Sequence, residues 1–147
     1  MTDISSSKTI DNIEIKTIRS APKYELVALY KDAGWWEPSW DRRSDFLNHI
    51  VKNSAFFVGA FHENRLIGMG RALSDLASDA YIQDVTVLKE FRGEGIGKRI
   101  IQKLIALLKE NRVDWIGLIA EPGTSSFYRK SGFEPLKDHI PLKLKKE

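Results

Sequence analysis

YIQDVTVLKEFRGEGIGKRIIQKLI, residues 81–105, passes from one periodicity to another within a single stretch. Its first eight residues, YIQDVTVL, are β-branched and largely apolar, the signature of a central strand covered on both faces. From Ile96 onward the apolar residues recur as Ile96, Ile100, Leu104 and Leu107, the spacing of one helical face, with the cations on the other. Between the two lie Gly93, Gly95 and Gly97, bracketed by Arg92, Lys98 and Arg99. A strand that turns through glycines into a helix N-terminus presents free backbone N–H groups and the positive end of a helix dipole, a setting that favours an anion.

Two familiar phosphate-binding patterns fail on this stretch. A dinucleotide fingerprint needs glycine where Lys98 stands. A Walker-type loop needs glycine at Arg92 and a hydroxyl at Arg99. What remains is R-x-x-G-x-G between a strand and a helix. Full charges on Arg92 and Lys98 make a pyrophosphate a better match than a carboxylate.

The rest of the chain sets the frame. At 147 residues it has room for one domain with one core. Composition, 42% apolar and 29% charged, is that of a globular protein. The net charge of +3 owes much to Lys137, Lys143, Lys145 and Lys146, and no aromatics are interleaved with them as base stacking would need, so nucleic-acid binding is not expected. The absence of cysteine excludes disulfides, thiol nucleophiles and Cys-based metal sites, and fits a reducing cytoplasm. His49 and His62 have no companion at ligand spacing, so no metal is expected either. No apolar run approaches the roughly 20 residues of a membrane span. Residues 1–11 are polar and Ser-rich and read as a disordered leader to a single domain over 12–147.

Along that domain IEIKTI (13–18) alternates as a strand, and Pro22 opens a helix bearing Tyr24, Val27 and Tyr30 up to Gly34. A loop, WWEPSW, leads to a second helix from near Asp41 or Ser44, carrying Phe46, Leu47, Ile50 and Val51. AFFVGAFHENRLIGMGRAL reads as a hairpin about Glu63-Asn64. Beyond the stretch that opened this section come a short buried strand, WIGLIA, and a short helix with Thr124 as its cap and Gly132 as its C′ residue. An alternating edge strand, IPLKLK, closes the chain. The order β, α, α, β, β, β, α, β, α, β predicts an α/β fold: a central mixed sheet flanked by helices.

VTVLKEFRGEGIGKRIIQKLI resembles the cofactor motif of the GCN5-related N-acetyltransferases, and EPGTSSFYRKSGF resembles that family's second motif. The resemblance covers roughly residues 80–134. It implies the fold of that family and acetyl-CoA or a related acyl-CoA as donor, with no metal. The strand Val85, Thr86, Val87 is then expected to splay from its neighbour and pair with the pantetheine arm, one N–H polarising the thioester carbonyl. The loop Arg92, Gly93, Glu94, Gly95, Ile96, Gly97 and Lys98 is expected to wrap the diphosphate of coenzyme A, with Ser125 and Tyr128 also at the cofactor. Tyr128 matches the family's general acid. Gly123 stands where the family carries an Asn that contacts the cofactor.

Transfer to an amine also needs a route for the amine's proton, since an alkylamine with a pKa near 10.4 is charged at neutral pH. Where relatives carry a Glu, this chain has Tyr81-Ile82-Gln83-Asp84. Gln83 takes no proton; Asp84 does, but alternation turns it away from the Gln83 face unless a bulge intervenes. Glu121 and a chain of waters are the other candidates. The acceptor, a small-molecule amine in this reading, is expected beside GWWEPSW, with Trp35 or Trp36 against its apolar part and Glu37 against its ammonium. The same aromatics equally suit a loop pinned to the core or a homodimer contact.

Overall fold

The structure, a computed structural model, describes residues 12–147; the expected leader over 1–11 lies outside the described residues. Five strands form one sheet in chain order: β1 (Ile13–Thr17), β2 (Phe56–His62), β3 (Arg65–Leu73), β4 (Asp79–Val87) and β5 (Trp115–Gly117). The first four pair antiparallel, and β5 runs parallel to β4. A parallel neighbour requires a crossover, which a helix, Ile96–Glu110, supplies. The other helices are α1 (Lys23–Asp32), α2 (Phe46–Asn53) and α4 (Ser125–Arg129), so the crossover is α3. The sheet is mixed and flanked by helices, as the element order predicts.

Local chemistry explains most boundaries. Glu63 and Asn64 take φ of +49° and +68°, the left-handed pair that a two-residue hairpin turn needs between β2 and β3. Helix α1 closes in a Schellman turn, with Gly34 N–H on Lys31 O and Trp35 N–H on Tyr30 O. Helix α4 ends the same way at Gly132, with φ of +101°.

The two faces of the sheet carry different helices. A Cβ on Gly70 would sit 2.8 Å from Ile100 Cγ2 and 3.2 Å from Leu104 Cδ1, so the glycine lets α3 lie directly against β3. Helix α3 buries Ile96, Ile100, Ile101, Leu104 and Leu108 there. Arg71, one residue on, points the opposite way and meets Ser54 and Asp84, and Tyr30 of α1 reaches the same carboxylate. Helices α1 and α2 cover that second face with Leu26, Leu29, Leu47 and Val51.

Several expectations are corrected. On α1 the buried set is Leu26, Leu29 and Tyr30, while Tyr24 is exposed. Positions three apart drift by about 60° per step on a helix of 3.6 residues per turn, so Tyr24 and Tyr30 do not share a face. On α3 it is Leu108, not Leu107, that is fully buried. Helix α2 begins at Phe46, and Pro38–Arg42 form a separate 3₁₀ turn. Thr124 occupies the N-cap position of α4, but its hydroxyl donates backward to Glu121 O at 2.7 Å. Strand β4 is buried on one face only: Ala80 and Ile82 are inside, while Tyr81 and Gln83 are exposed over the cleft described next. The expected edge strand over 140–145 does not form, because an alternating segment becomes a strand only against a sheet edge, and this one meets none.

Candidate active site

The glycine loop follows a 3₁₀ turn, Lys89–Phe91, and opens α3. Asp32, at the end of α1, accepts from the Lys89 N–H at 3.1 Å and from Arg92 Nη2 at 3.2 Å. Arg92 Nε donates to Val87 O at 2.7 Å. Arg92 thus clamps the loop to β4 and α1. Gly93 and Gly95 have φ of +83° and +80°, and a Cβ on either meets nothing within 4 Å. Gly97 differs: its Cβ would come within 3.1 Å of Phe127 Cζ, so this glycine serves packing between α3 and α4. The N–H groups of Gly93, Glu94, Gly95, Ile96, Gly97 and Lys98 find no backbone acceptor among the described residues, at the positive end of a 15-residue helix. Lys98 is exposed and makes no ion pair among the described residues. Two left-handed glycines with open space before them and a row of unsatisfied donors fit a diphosphate.

Alongside, β4 and β5 part. They pair only at Asp79 with Trp115, Ala80 with Ile116 and Tyr81 with Gly117, after which each strand runs on alone. The gap holds a cavity of about 370 Å³, lined by Ile82, Gln83, Asp84 and Val85 on one side and Leu118, Ile119 and Glu121 on the other. Because Leu88 N–H turns to Ile67 O on β3, alternation sends the Val87 N–H to the opening. Thr86 pairs with Met69, and Gln83 with Arg71, so two residues, Asp84 and Val85, stand opposite Gly70 alone. This is the bulge that Asp84 needs to leave the ordinary alternation, and Asp84 itself takes φ of +56°.

Tyr128, on α4, closes the cavity with Trp35 and Thr124. Its ring packs edge-on against Phe127 and Phe133, at centroid distances of 4.9 and 6.1 Å. Burial pushes its phenol above the ordinary value, and the Glu121 carboxylate pushes the same way, since both disfavour a phenolate. Glu121 accepts from Trp35 Nε1 at 3.1 Å. The Schellman turn of α1 delivers Trp35 to that spot, edge-on against Tyr30.

Asp84 faces the same cavity but is heavily engaged. Its Oδ2 accepts from Tyr30 Oη and from Arg71 Nε, both at 2.8 Å, and Arg71 Nη2 also donates to Gln83 at 3.3 Å. Burial, then the Asp84 carboxylate, drive the Tyr30 hydroxyl far above its usual range, against a smaller opposing pull from Arg71. The pH consequence has a definite sign. The folded chain holds the Tyr30 proton more tightly than the unfolded chain, so its contribution to stability is full below about pH 10 and is lost as pH climbs from there toward the raised folded value. Melting temperatures are expected to fall above that pH in the parent and to fall less steeply in Tyr30→Phe, itself less stable at pH 7 by about 1.5–3 kcal/mol through loss of a hydrogen bond to a charged group. Identical alkaline slopes in the two proteins would remove the basis for this assignment.

Trp36 and Glu37 do not join Trp35 at the cavity. Trp36 Nε1 donates to Asp41 at 2.8 Å, and its ring packs edge-on against Trp40 at 5.4 Å, which in turn meets Phe46. Glu37 is exposed at the N-cap of the 3₁₀ turn. Trp36 therefore belongs to an aromatic cluster with Trp40 and Phe46 that pins the loop to α2. Ser125, exposed at the first turn of α4, lies next to Thr124 of the cavity wall. Sequence reasoning missed Tyr30 and Arg71 as site residues; the signal for Arg71 was a single charge within the apolar run 66–73. No group of three or more His, Cys, Asp or Glu able to hold a metal occurs among the described residues.

Comparison with known proteins converges on one family. The family model described as Acetyltransferase (GNAT) family matches residues 17–133. An uncharacterized N-acetyltransferase ycf52 of Porphyra purpurea is 35% identical over 135 residues, 86% of this chain and 75% of that protein. A histone acetyltransferase TAP1 of Glycine max is 36% identical over 138 residues, and there the match spans 58% of the relative's length. The crystal structure of a probable acetyltransferase from methicillin-resistant Staphylococcus aureus superposes with a TM-score of 0.77 at 25% identity, covering 91% of this chain and 99% of that one. With the loop, the splayed strands and the second-motif tyrosine in place, the chain belongs to the GNAT family of N-acetyltransferases.

Proposed function

We propose that this protein transfers an acetyl group from acetyl-CoA to the primary amine of a small molecule, both substrates being held at once. The observation that carries the reading is the cleft where β4 and β5 part, lined by Asp84, Glu121 and Tyr128, with the N–H row of residues 93–98 following β4 along the chain. Bound there, the donor would supply an activated thioester. The N–H groups of Gly93 through Lys98 would hold its diphosphate, the open edge of Val85–Val87 its pantetheine, and the Val87 N–H would aim at the carbonyl oxygen. Tyr128 holds a proton at Oη beside the cleft. Asp84, through its second oxygen, and Glu121 are the carboxylates that face the amine and its proton.

A cavity of about 370 Å³ with Trp35, Tyr81 and Ile119 around two carboxylates suits an ammonium on a compact apolar body. Protein lysine is the second reading, favoured by the name of the Glycine max relative. A steady-state assay of thiol release with a panel of amines and lysine peptides separates the two. Small amines are expected to turn over, and Trp35→Ala with Glu121→Gln to raise the amine KM with little change in acetyl-CoA binding. Turnover of peptides alone would establish the second reading, and thiol release with neither would refute transfer to amines.

A further inference from the structure

Helix α1 ends on a carboxylate, Asp32, where the helix dipole is negative and a cation is the favoured side chain. Its partners lie off the helix. One oxygen, Oδ2, accepts from the Lys89 N–H at 3.1 Å and from Arg92 Nη2 at 3.2 Å. These two residues bound the 3₁₀ turn that follows β4, Lys89 as its first residue and Arg92 as its C-cap. Arg92 also donates through Nε to Val87 O at 2.7 Å, and through its backbone N–H to Lys89 O at 3.2 Å. Strand end, turn and α1 are thus closed into one clasp. The next residue is Gly93, the first of the two left-handed glycines.

Both parts of the donor surface adjoin this clasp. Upstream is Val87, whose N–H turns to the cleft. Downstream are the N–H groups of residues 93–98, which bond to no backbone acceptor among the described residues. Glycines at 93 and 95 leave the backbone free to turn, so a fixed direction for that row needs restraint from outside it. A row already oriented binds more tightly than one that must be ordered by its ligand. The ion pair itself is partly in solvent, Asp32 24% and Arg92 46% exposed, and such pairs add little to overall stability. What it fixes is geometry.

On charge alone Asp32 is the wrong residue here. A carboxylate beside a loop that holds a diphosphate repels it, and this one also occupies a guanidinium that would otherwise be free to meet the phosphates. We propose that Asp32 is a positioning residue for the donor: by holding Arg92 at the turn, it presets Val87 and the N–H row of residues 93–98 for coenzyme A, despite its unfavourable charge. The inference rests on the acetyl-CoA reading above.

Calorimetry with coenzyme A tests it in the full chain, with no amine and no turnover. Asp32→Asn keeps an oxygen for the Lys89 N–H and removes the charge that holds Arg92. Positioning and plain electrostatics predict opposite signs for this variant. Positioning weakens coenzyme A binding by about 5- to 10-fold, the scale of one pairwise coupling, whereas loss of a repelling charge and release of Arg92 would tighten it. Weaker binding at a near-parental melting temperature is the expected result. Arg92→Gln opens the same clasp from the other side. In that background Asp32→Asn is expected to add less than about twofold, because residues that act through one contact are not additive. Equal or tighter binding by folded Asp32→Asn, or losses that multiply in the double variant, overturns the proposal. A parent that binds no coenzyme A refutes the donor reading and the proposal with it, an outcome distinct from a parent that binds and an Asn variant that binds as well.

Discussion

Gly95→Val is expected to abolish measurable acetyl-CoA binding in a chain that still folds. Gly95 sits at the N-cap of α3 with φ of +80°, where an L-residue costs about 1–2 kcal/mol of backbone strain. That strain lowers stability without breaking the fold, since a Cβ there meets no protein atom within 4 Å. The valine methyls instead occupy the space in front of the N–H row. If they displace a diphosphate from two charge-assisted hydrogen bonds, the loss is about 3–6 kcal/mol, or roughly 10²- to 10⁴-fold in Kd. Gly95→Asn separates strain from bulk, because Asn tolerates the left-handed region while still filling the space. Calorimetry is expected to show weak or absent binding in both variants, and parental affinity in either would withdraw the loop assignment. Gly97→Ala makes a useful contrast, since its methyl presses on Phe127 and leaves the open side of the loop untouched.

How far the sequence foretold this site depended on whether the information was local. The glycine loop, the Glu63-Asn64 hairpin and the Gly132 helix end were legible because each is fixed by the conformational freedom of one or two residues. The cleft was legible only through the resemblance, since splaying follows from how few residues of β5 pair with β4. Asp84 marks the limit. Its position depends on a bulge against Gly70, and a bulge is a property of two strands in register, invisible in either one alone. The tryptophans failed for a related reason. Trp35 and Trp36 are adjacent in sequence, but the turn that ends α1 sends one to Glu121 and the other to Asp41. Only Trp35 reaches the cavity, so concentration of aromatics located the loop and misassigned its members.

Tyr128→Phe is expected to lower kcat by about 10²- to 10⁴-fold, equivalent to about 2.7–5.5 kcal/mol, with acetyl-CoA affinity nearly unchanged. Phe retains the ring that packs against Phe127 and Phe133, and the Oη it removes has no hydrogen-bond partner among the described residues, so the fold has little to lose. What disappears is the proton. A thiol of pKa about 8.5 leaves more readily when a neighbouring acid protonates it, and an unperturbed phenol near 10 is only mildly uphill of that. Burial and Glu121 raise the Tyr128 phenol further, which makes donation somewhat harder and keeps the proton in place to higher pH. The sign of the pH effect follows. Activity that needs the neutral phenol is full below the raised value and falls as pH passes through it, so the parent's alkaline limb is expected above about pH 10 and to be missing in the variant. A folded Phe variant with parental kcat across that range would assign the departing sulfur's proton to water or to another group at the cleft.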